Sequence, residues 1–185
     1  MKLPSTLAAA ALLAVLAAPA AAAEFVFDFS NLYSSGVKGD GENTTLSFEL
    51  GAGARITGFS WTVDVSTFGE SWLSEVTLDF TNNLGAGVQF SPAMEVYAPG
   101  SQSSSGSLNL VNAGQSFALG NDGKLYLEFY ESYDDIAAAP DARWNHGTLT
   151  FQLAPVPEPS SYAMLGLGLL AVGAATHRRR RRSAD

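Results

Sequence analysis

The sequence predicts an all-β domain, an antiparallel two-sheet sandwich of the jelly-roll type, with an apolar segment on either side of it. Three observations lead to this prediction. Short runs alternate between apolar and polar residues, as strands do when one face meets a core and the other meets water. Turn-forming residues separate these runs. Residues 24–153 contain no long stretch with helical periodicity.

Six runs show the alternation, and each puts three or four apolar side chains on one face. In chain order the sets are Phe25, Phe27 and Phe29; Leu46, Phe48 and Leu50; Phe59, Trp61, Val63 and Val65; Val76, Leu78 and Phe80; Leu125, Leu127 and Phe129; and Leu149, Phe151 and Leu153. We expect about eight to ten short strands, which is typical of a sandwich or jelly roll of roughly 130 residues.

Glycine and serine mark the connections between the strands. Residues 36–41 (GVKGDG) predict a loop, and residues 120–123 (GNDG) predict a hairpin turn before Lys124. The serine-rich residues 101–106 (SQSSSG) predict a flexible, exposed loop in the middle of the domain. Residues 136–139 predict a single helical turn.

Charge is divided unevenly along the chain. Its net charge is −8, yet residues 24–155 hold sixteen acidic and four basic residues, a net charge of −12. No basic patch with interleaved aromatic residues occurs there, which argues against nucleic acid as a partner. The chain has no cysteine, which excludes disulfides, thiolate chemistry and cysteine-bound metals.

Residues 1–23 have the layout of a secretory signal peptide. Met1 and Lys2 form a short positive region, and residues 7–18 are apolar. Small residues occupy the −3 and −1 positions of a cleavage site, so we expect signal peptidase to cut between Ala23 and Glu24. The alternative, an uncleaved anchor, is disfavoured because the apolar run is short for a bilayer.

The C-terminus contains a proline-rich motif at residues 155–160, an apolar segment at 161–177 and a basic tail at 178–185. The motif residues are Val156, Pro157, Glu158, Pro159 and Ser160. The apolar segment predicts a transmembrane helix near the minimum length for a span. The tail holds the arginines Arg178, Arg179, Arg180, Arg181 and Arg182. These charges stay cytoplasmic, so they stop translocation and leave the domain outside the inner membrane.

This arrangement resembles the PEP-CTERM sorting signal. The resemblance covers residues 155–185 and implies recognition by an exosortase, a membrane-embedded cysteine transpeptidase or protease. It implies cleavage near Pro157–Pro159, loss of the helix, and release or attachment at the cell surface. Hosts of this family are typically Gram-negative bacteria that make exopolysaccharide, which implies an exopolysaccharide partner. The two prolines hold the motif extended, as entry into a protease cleft requires.

A second, piecemeal resemblance is to the jelly-roll P-domain of proprotein convertases. Those domains have a tryptophan-containing turn into a strand, an acidic loop, and a closing strand entered through glycine. The matching residues here are 71–78 (SWLSEVTL), Glu128 and Phe129, 133–135 (YDD), Trp144, and 147–151 (GTLTF). The resemblance favours a jelly roll and implies no function.

The residues with catalytic potential do not form a recognisable catalytic motif, so we predict that the domain is not an enzyme. His146 is the domain's single histidine, and Asp141 is its nearest acidic residue along the chain. No Gly-x-Ser-x-Gly elbow is present, which favours a loop histidine over a Ser-His-Asp triad. The glutamates available for a glycosidase pair are Glu70, Glu75, Glu128 and Glu131. Glu75 and Glu128 alternate with core residues and are expected on strand surfaces.

Asp134, Asp135 and Asp141 fall in one predicted loop between two strands. Oxygen-rich loops of this kind bind Ca²⁺, although the spacing matches no fixed calcium motif and a solvated acidic loop is the alternative. A weaker calcium candidate comprises Asp40, Glu42 and Asn43.

Tyr126 and Tyr130 flank Glu128 on the strand face opposite Leu127, where exposed rings would stack on sugars. The alternative is that these rings are buried.

The sequence leads to two hypotheses for the function. The first is an exported, exosortase-sorted surface or matrix protein with a non-catalytic sandwich associated with exopolysaccharide. The second is a small secreted hydrolase acting on polysaccharide or peptide.

Overall fold

The structure is a computed structural model that describes residues 23–136, 140–154 and 165–173. Nine strands form within these residues, and a single 3₁₀ turn, Leu73–Glu75, precedes the fourth. The strands are β1 (Ala23–Ser34), β2 (Thr44–Glu49), β3 (Arg55–Thr67), β4 (Val76–Thr81), β5 (Gly87–Phe90), β6 (Ser101–Asn109), β7 (Phe117–Ala118), β8 (Lys124–Glu131) and β9 (Ala142–Ala154).

The strands form two antiparallel sheets. The five-stranded sheet has the order β1-β9-β3-β6, with the short β7 paired to β3, and the four-stranded sheet has the order β2-β8-β4-β5. Without the two-residue β7, the orders are 1-8-3-6 and 2-7-4-5, the interleaved pairing of a jelly roll. The predicted fold class is therefore confirmed.

The core lies between the two sheets, where the predicted apolar faces meet. Phe59 on β3 packs on Phe80 and Phe151, with ring centroids 4.8 and 5.2 Å apart. Trp144 on β9 meets Phe129 edge to face at 5.1 Å. All five side chains are buried, and each contributes about 1.5–3 kcal/mol by leaving water. All six predicted runs form strands, with Leu50 falling just after the end of β2.

The serine-rich residues 101–106 are not the predicted loop. They begin β6, which pairs with β3 in continuous register from Ser66 to Gly58. The prediction was wrong because serine resembles a turn signal in sequence, whereas pairing with the long β3 determines the conformation here. Gly106 lies under the Trp61 ring, and a Cβ there would lie 2.6 Å from the indole.

The predicted turn at residues 120–123 is present, closed by a 3.0 Å hydrogen bond from the Gly123 N–H to the Gly120 carbonyl. It is not a hairpin, because β7 pairs with β3 in one sheet and β8 joins the other. The turn therefore carries the chain between sheets. The predicted loop at 36–41 lies between β1 and β2. Residues 137–139 of the predicted helical turn lie outside the described residues.

Four connections meet at one end of the sandwich, which we call the loop end. Their described residues are 35–43, 68–75, 91–100, 132–136 and 140–141. The strand register places them together: Ser34 pairs with Ala142 and Val76 pairs with Glu131 at the same end. Most acidic loop residues therefore gather there.

The sandwich lies in one compact unit, and the described part of a second unit is residues 165–173. In that second unit residues 165–173 form an α-helix. Within the described residues, no helix combines the length and the apolar character that a membrane crossing requires. Ala23 and Glu24 begin β1. The rest of the predicted signal peptide, the motif Val156–Ser160 and the arginines Arg178–Arg182 lie outside the described residues.

Candidate functional site

A cleft of about 300 Å³ opens on the outer face of the four-stranded sheet. We call it the outer-face cleft. It is formed by strands β2, β8 and β4, with the β1–β2 loop at one side. Its polar lining residues are Lys38, Thr45, Asp79, Thr81, Tyr126 and Glu128. The cleft therefore combines both signs of charge with hydroxyl groups and an aromatic ring.

Two carboxylates lie side by side in the cleft. Asp79 on β4 is directly opposite Glu128 on β8, a cross-strand arrangement in which like charges repel. The Lys38 ammonium lies 2.5 Å from Asp79 Oδ2, and the Asp79 side chain is only 9 % exposed. The β1–β2 loop therefore supplies the positive charge that offsets this repulsion.

The same loop binds the second carboxylate. Glu128 Oε1 accepts a 2.6 Å hydrogen bond from the Gly39 N–H and a 3.1 Å hydrogen bond from Asn43 Nδ2. The Asn43 side-chain oxygen accepts from the Ser35 and Gly36 N–H groups and so holds the loop in place. The carboxylate pair and the loop above it therefore form one hydrogen-bonded unit.

Tyr126 and Tyr130, the predicted sugar-contact residues, have different surroundings. Tyr126 lines the cleft, and its hydroxyl donates a 2.8 Å hydrogen bond to Asp122, which raises the Tyr126 pKa. Tyr130 is only 5 % exposed and accepts a hydrogen bond from Gln89 Nε2. Burial raises the pKa of Tyr130 to about 12. Of the two predicted sugar-contact rings, only Tyr126 is therefore accessible.

A second acidic group lies inside the loop end. Glu131 and Asp141 are both fully buried. The Ser34 hydroxyl donates a 2.6 Å hydrogen bond to Glu131 Oε1. In the part of the chain that the structure describes, Glu131 Oε2, Asp141 Oδ1 and Ser71 Oγ have no hydrogen-bond partner. Sequence reasoning missed this burial, because Glu131 looks like the polar end of a strand.

Burial changes the acidity of these groups. It raises the pKa of Glu131 to about 8, and the nearby Asp141 and Glu75 carboxylates add to that shift. It also raises the pKa of Asp141 to about 6 and the pKa of Glu75 above its ordinary value. A desolvated carboxylate retains its proton because its charged form has lost the stabilisation of water.

The three predicted calcium ligands do not share one environment. Asp134 and Asp135 are exposed, whereas Asp141 is buried and accepts a 3.4 Å hydrogen bond from the Asp135 N–H. Across residues 23–136, 140–154 and 165–173, no three acidic or histidine side chains are arranged to hold a metal ion. In the weaker calcium candidate, Asp40 Oδ1 accepts a hydrogen bond from the Glu42 N–H.

Among the other glutamates, Glu128 lies on an outer strand face as predicted. Glu75 is not on a strand surface. It ends the 3₁₀ turn, and its Oε2 accepts a 2.8 Å hydrogen bond from the Trp72 N–H. Glu70 is exposed in the loop before that turn.

His146 is not in a loop as predicted: it lies within β9, on the exposed face of the five-stranded sheet, whereas Asp141 is in the connection before that strand. His146 is directly opposite Ser30 on β1 and Asp64 on β3. Both Asp64 oxygens accept 2.7 Å hydrogen bonds, from the Ser103 hydroxyl and Asn145 Nδ2. These bonds lower the Asp64 pKa. Only strand register, which sequence does not give, brings this row together.

Comparison with known proteins gives one match to a family model. Residues 155–181 match the family model described as the PEP-CTERM protein-sorting motif. No curated protein matches the chain.

Three solved structures are weakly similar to this chain. Latent PorU from Porphyromonas gingivalis is 14 % identical over 71 % of this chain and 13 % of its own, with a TM-score of 0.34. The structure of the infectious bursal disease virus Gx strain is 13 % identical. The match covers 75 % of this chain and 35 % of that one, with a TM-score of 0.34. The Penaeus vannamei nodavirus P-domain is 12 % identical. The match covers 71 % of this chain and 96 % of that one, with a TM-score of 0.25.

The chain spans only 13 % and 35 % of the first two structures. At these TM-scores the similarities carry no information on function. The family match is the informative finding. It shows that the C-terminus following the β-sandwich carries a PEP-CTERM protein-sorting motif, which indicates an exported protein and processing by an exosortase.

Proposed function

We propose that the sandwich is a non-catalytic binding module that holds the protein in an exopolysaccharide matrix through the outer-face cleft. One observation carries this proposal. The cleft places the Tyr126 ring beside the paired carboxylates Asp79 and Glu128, with Lys38 and two threonines around them. Sugars present apolar C–H faces and many hydroxyl groups, so a ring beside fixed polar groups suits them.

The polar groups of the cleft are held in place before a ligand arrives. Asp79 is fixed by Lys38, and Glu128 is fixed by the Gly39 N–H and Asn43. Each carboxylate retains lone pairs that accept hydrogen bonds from sugar hydroxyls. Groups that are already ordered lose little entropy on binding, which favours affinity.

The same contacts argue against glycoside hydrolysis in the cleft. A glycosidase needs one carboxyl group to give up a proton and the other to attack or to activate water. Here Lys38 lies against Asp79, and two donors bind one Glu128 oxygen. These contacts suit a fixed recognition surface.

The alternative is a hydrolase that uses the row of Ser30, His146 and Asp64. The register that puts these residues opposite one another favours it. An oxyanion hole, however, needs free backbone N–H groups. His146 lies on β9, which pairs with strands on both sides. Pairing on both sides takes up the N–H groups of the paired residues around His146, so the non-catalytic proposal is preferred.

The two chain ends fit delivery to the cell exterior. We infer that signal peptidase removes residues 1–23 and that exosortase cuts near Pro157–Pro159 after a transient stop at 161–177. The acidic sandwich at residues 24–154 is then left at the surface or in the matrix of a Gram-negative cell. Mass spectrometry of the secreted protein tests this route. A mature form that retains Arg178–Arg182 would contradict it.

Binding to exopolysaccharide purified from the host tests the cleft. We expect Tyr126→Ala to weaken binding by about tenfold or more, since about 1.4 kcal/mol of ring contact corresponds to that factor. The matched control is Tyr97→Ala, because Tyr97 is 64 % exposed in the 91–100 connection and outside the cleft. Equal binding by wild type and Tyr126→Ala would reject the cleft as the sugar site.

A substrate screen tests the alternative. The wild-type chain is incubated with host polysaccharide and with peptide substrates, beside His146→Ala. Turnover that disappears in His146→Ala would replace the binding proposal with the hydrolase. We expect no difference between the two proteins.

A further inference from the structure

Strand β6 is an unusual sheet edge. It pairs with β3 on one side, and within the described residues no strand pairs with its other side. It is nine residues long and holds no charged residue and no proline. No charge occurs anywhere between Glu95 and Asp122, in a domain whose net charge is −12. An unpaired edge offers a row of backbone N–H and C=O groups to another strand.

The other three sheet edges carry features that discourage such pairing. Edge strand β1 bears Glu24 and Asp28 and is interrupted at Asn31, whose φ is 54°. Edge strand β5 has only four residues. Edge strand β2 has six residues and ends in Glu49. Charges, irregularities and short length are the means by which proteins protect sheet edges, and β6 has none of them.

The geometry of β6 also suits a partner strand. Its register with β3 runs from Ser101 to Asn109 without a shift, so its outer edge is regular. Eight of its nine residues are exposed, with residues of both faces among them. The strand therefore extends past the second sheet, and Leu108 on its inner side remains 37 % exposed. The sheet of a neighbouring molecule would cover this uncovered part of β6.

We propose that β6 pairs antiparallel with β6 of a second copy of this chain, which joins the two five-stranded sheets into one. Two domains of charge −12 repel each other, and they approach most easily where charge is absent. A two-fold axis gives both copies the same contact. Full overlap of the nine residues places that axis at Ser105, the middle residue of β6.

This assembly goes beyond the proposed sugar binding and does not depend on it. Pairing through β6 uses the five-stranded sheet, whereas the outer-face cleft is on the four-stranded sheet. Each dimer would carry two clefts, so attachment to a long polysaccharide would gain from avidity. Loss of the dimer and loss of sugar binding are measured separately.

Cross-linking of the full chain in mild detergent tests the pairing. The chain has no cysteine, so Ser105→Cys introduces a single thiol. In the proposed dimer the two residues at position 105 face each other across the strands, within reach of a disulfide. In a glutathione redox buffer, we expect a covalent dimer to form at least about tenfold faster than in the control variant.

The matched control is Ser30→Cys, an exposed serine on the edge strand β1 of the same sheet, in a chain with the same apolar tail. Equal cross-linking of the two variants would overturn the proposal. A disulfide formed only in a mixture of Ser30→Cys and Ser105→Cys would show head-to-tail pairing and would also overturn it.

Charge substitution at the same position gives a second measurement. Ser105→Lys and Ser105→Asp should each shift the protein to monomer in sedimentation, because like charges meet at the two-fold axis. An equimolar mixture should recover the dimer, since Lys then faces Asp. Wild-type protein that sediments as a monomer in the same detergent would reject the pairing.

Discussion

Two pairs of acidic residues in this protein have opposite surroundings. Asp79 and Glu128 lie in the outer-face cleft, where a lysine and two hydrogen-bond donors stabilise their negative charge. Glu131 and Asp141 lie inside the loop end, where each has an oxygen without a partner among the described residues. Burial raises the pKa of Glu131 to about 8. The cleft pair thus has neighbouring donors and a cation, whereas burial favours the protonated form of the buried pair.

The difference shows that the acidic residues of one domain can have different roles. Charges in the cleft are available to a ligand, and those at the loop end act on the stability of the fold. Sequence alone does not divide the four carboxylates into these two pairs. Three substitutions separate the two pairs, and we give them from the largest expected effect to the smallest.

The largest effect is expected from pH acting on Glu131. Its pKa of about 8 in the folded protein lies above its ordinary value of 4.5. Its contribution to stability is therefore fully present below pH 4.5 and is lost as the pH rises to 8. The free energy of unfolding should fall by several kcal/mol over that range, at about 1.4 kcal/mol per pH unit. Urea unfolding at pH 5 and pH 8 measures it.

Glu131→Gln should remove most of this dependence, because a neutral amide replaces the acid. At pH 8 we expect the variant to be about 2–3 kcal/mol more stable than wild type. Glu49→Gln is the control, since the Glu49 side chain is 82 % exposed. An unfolding midpoint that responds to pH equally in wild type and Glu131→Gln would contradict the assignment.

Lys38→Met should destabilise the cleft pair. It leaves the nearly buried Asp79 carboxylate without its cation and opposite Glu128. We expect a loss of about 2 kcal/mol, between the values for surface and buried pairs, because Lys38 itself is 55 % exposed. The double variant Lys38→Met/Asp79→Asn should regain most of the loss. Equal stability of the single and double variants would show that the ion pair is unimportant.

Ser34→Ala should have the smallest effect. It removes the hydroxyl that donates to Glu131 Oε1 and leaves that buried oxygen without its donor. We expect a cost of about 1 kcal/mol at pH 8, where the charged form needs the donor most. At pH 5 the cost should be smaller, because protonated Glu131 gains less from the bond. Ser30→Ala, at an exposed position on the same strand, is the control.

Sequence predicted the six strands in which apolar residues alternate with polar ones. Leu125, Leu127 and Phe129 form the inner face of β8 as their alternation indicates. It failed at β6, where exposure on both faces leaves no alternation to detect. It also failed at Tyr130, because the burial of a ring on an outer face depends on its cross-strand neighbours.

The candidate sites depended on register in the same way. The pairing of Asp79 with Glu128, and of His146 with Asp64, joins residues that are distant in sequence. No local pattern specifies which strand lies beside which. The loop end was only partly predictable. The sequence shows the acidic residues Asp134, Asp135 and Asp141, but it does not show that Asp141 and Glu131 are buried.

Strand β9 has a consequence for the order of events during folding. It is the last strand of the sandwich, yet it lies between β1 and β3 and pairs with both along their lengths. Because a chain is synthesised from its N-terminus, β1 and β3 are available before the strand that both of them pair with. Such long-range pairing is slow to form. The sorting motif begins at residue 155, directly after β9. The sandwich is therefore complete only when β9, the strand that directly precedes the motif, is in place between β1 and β3.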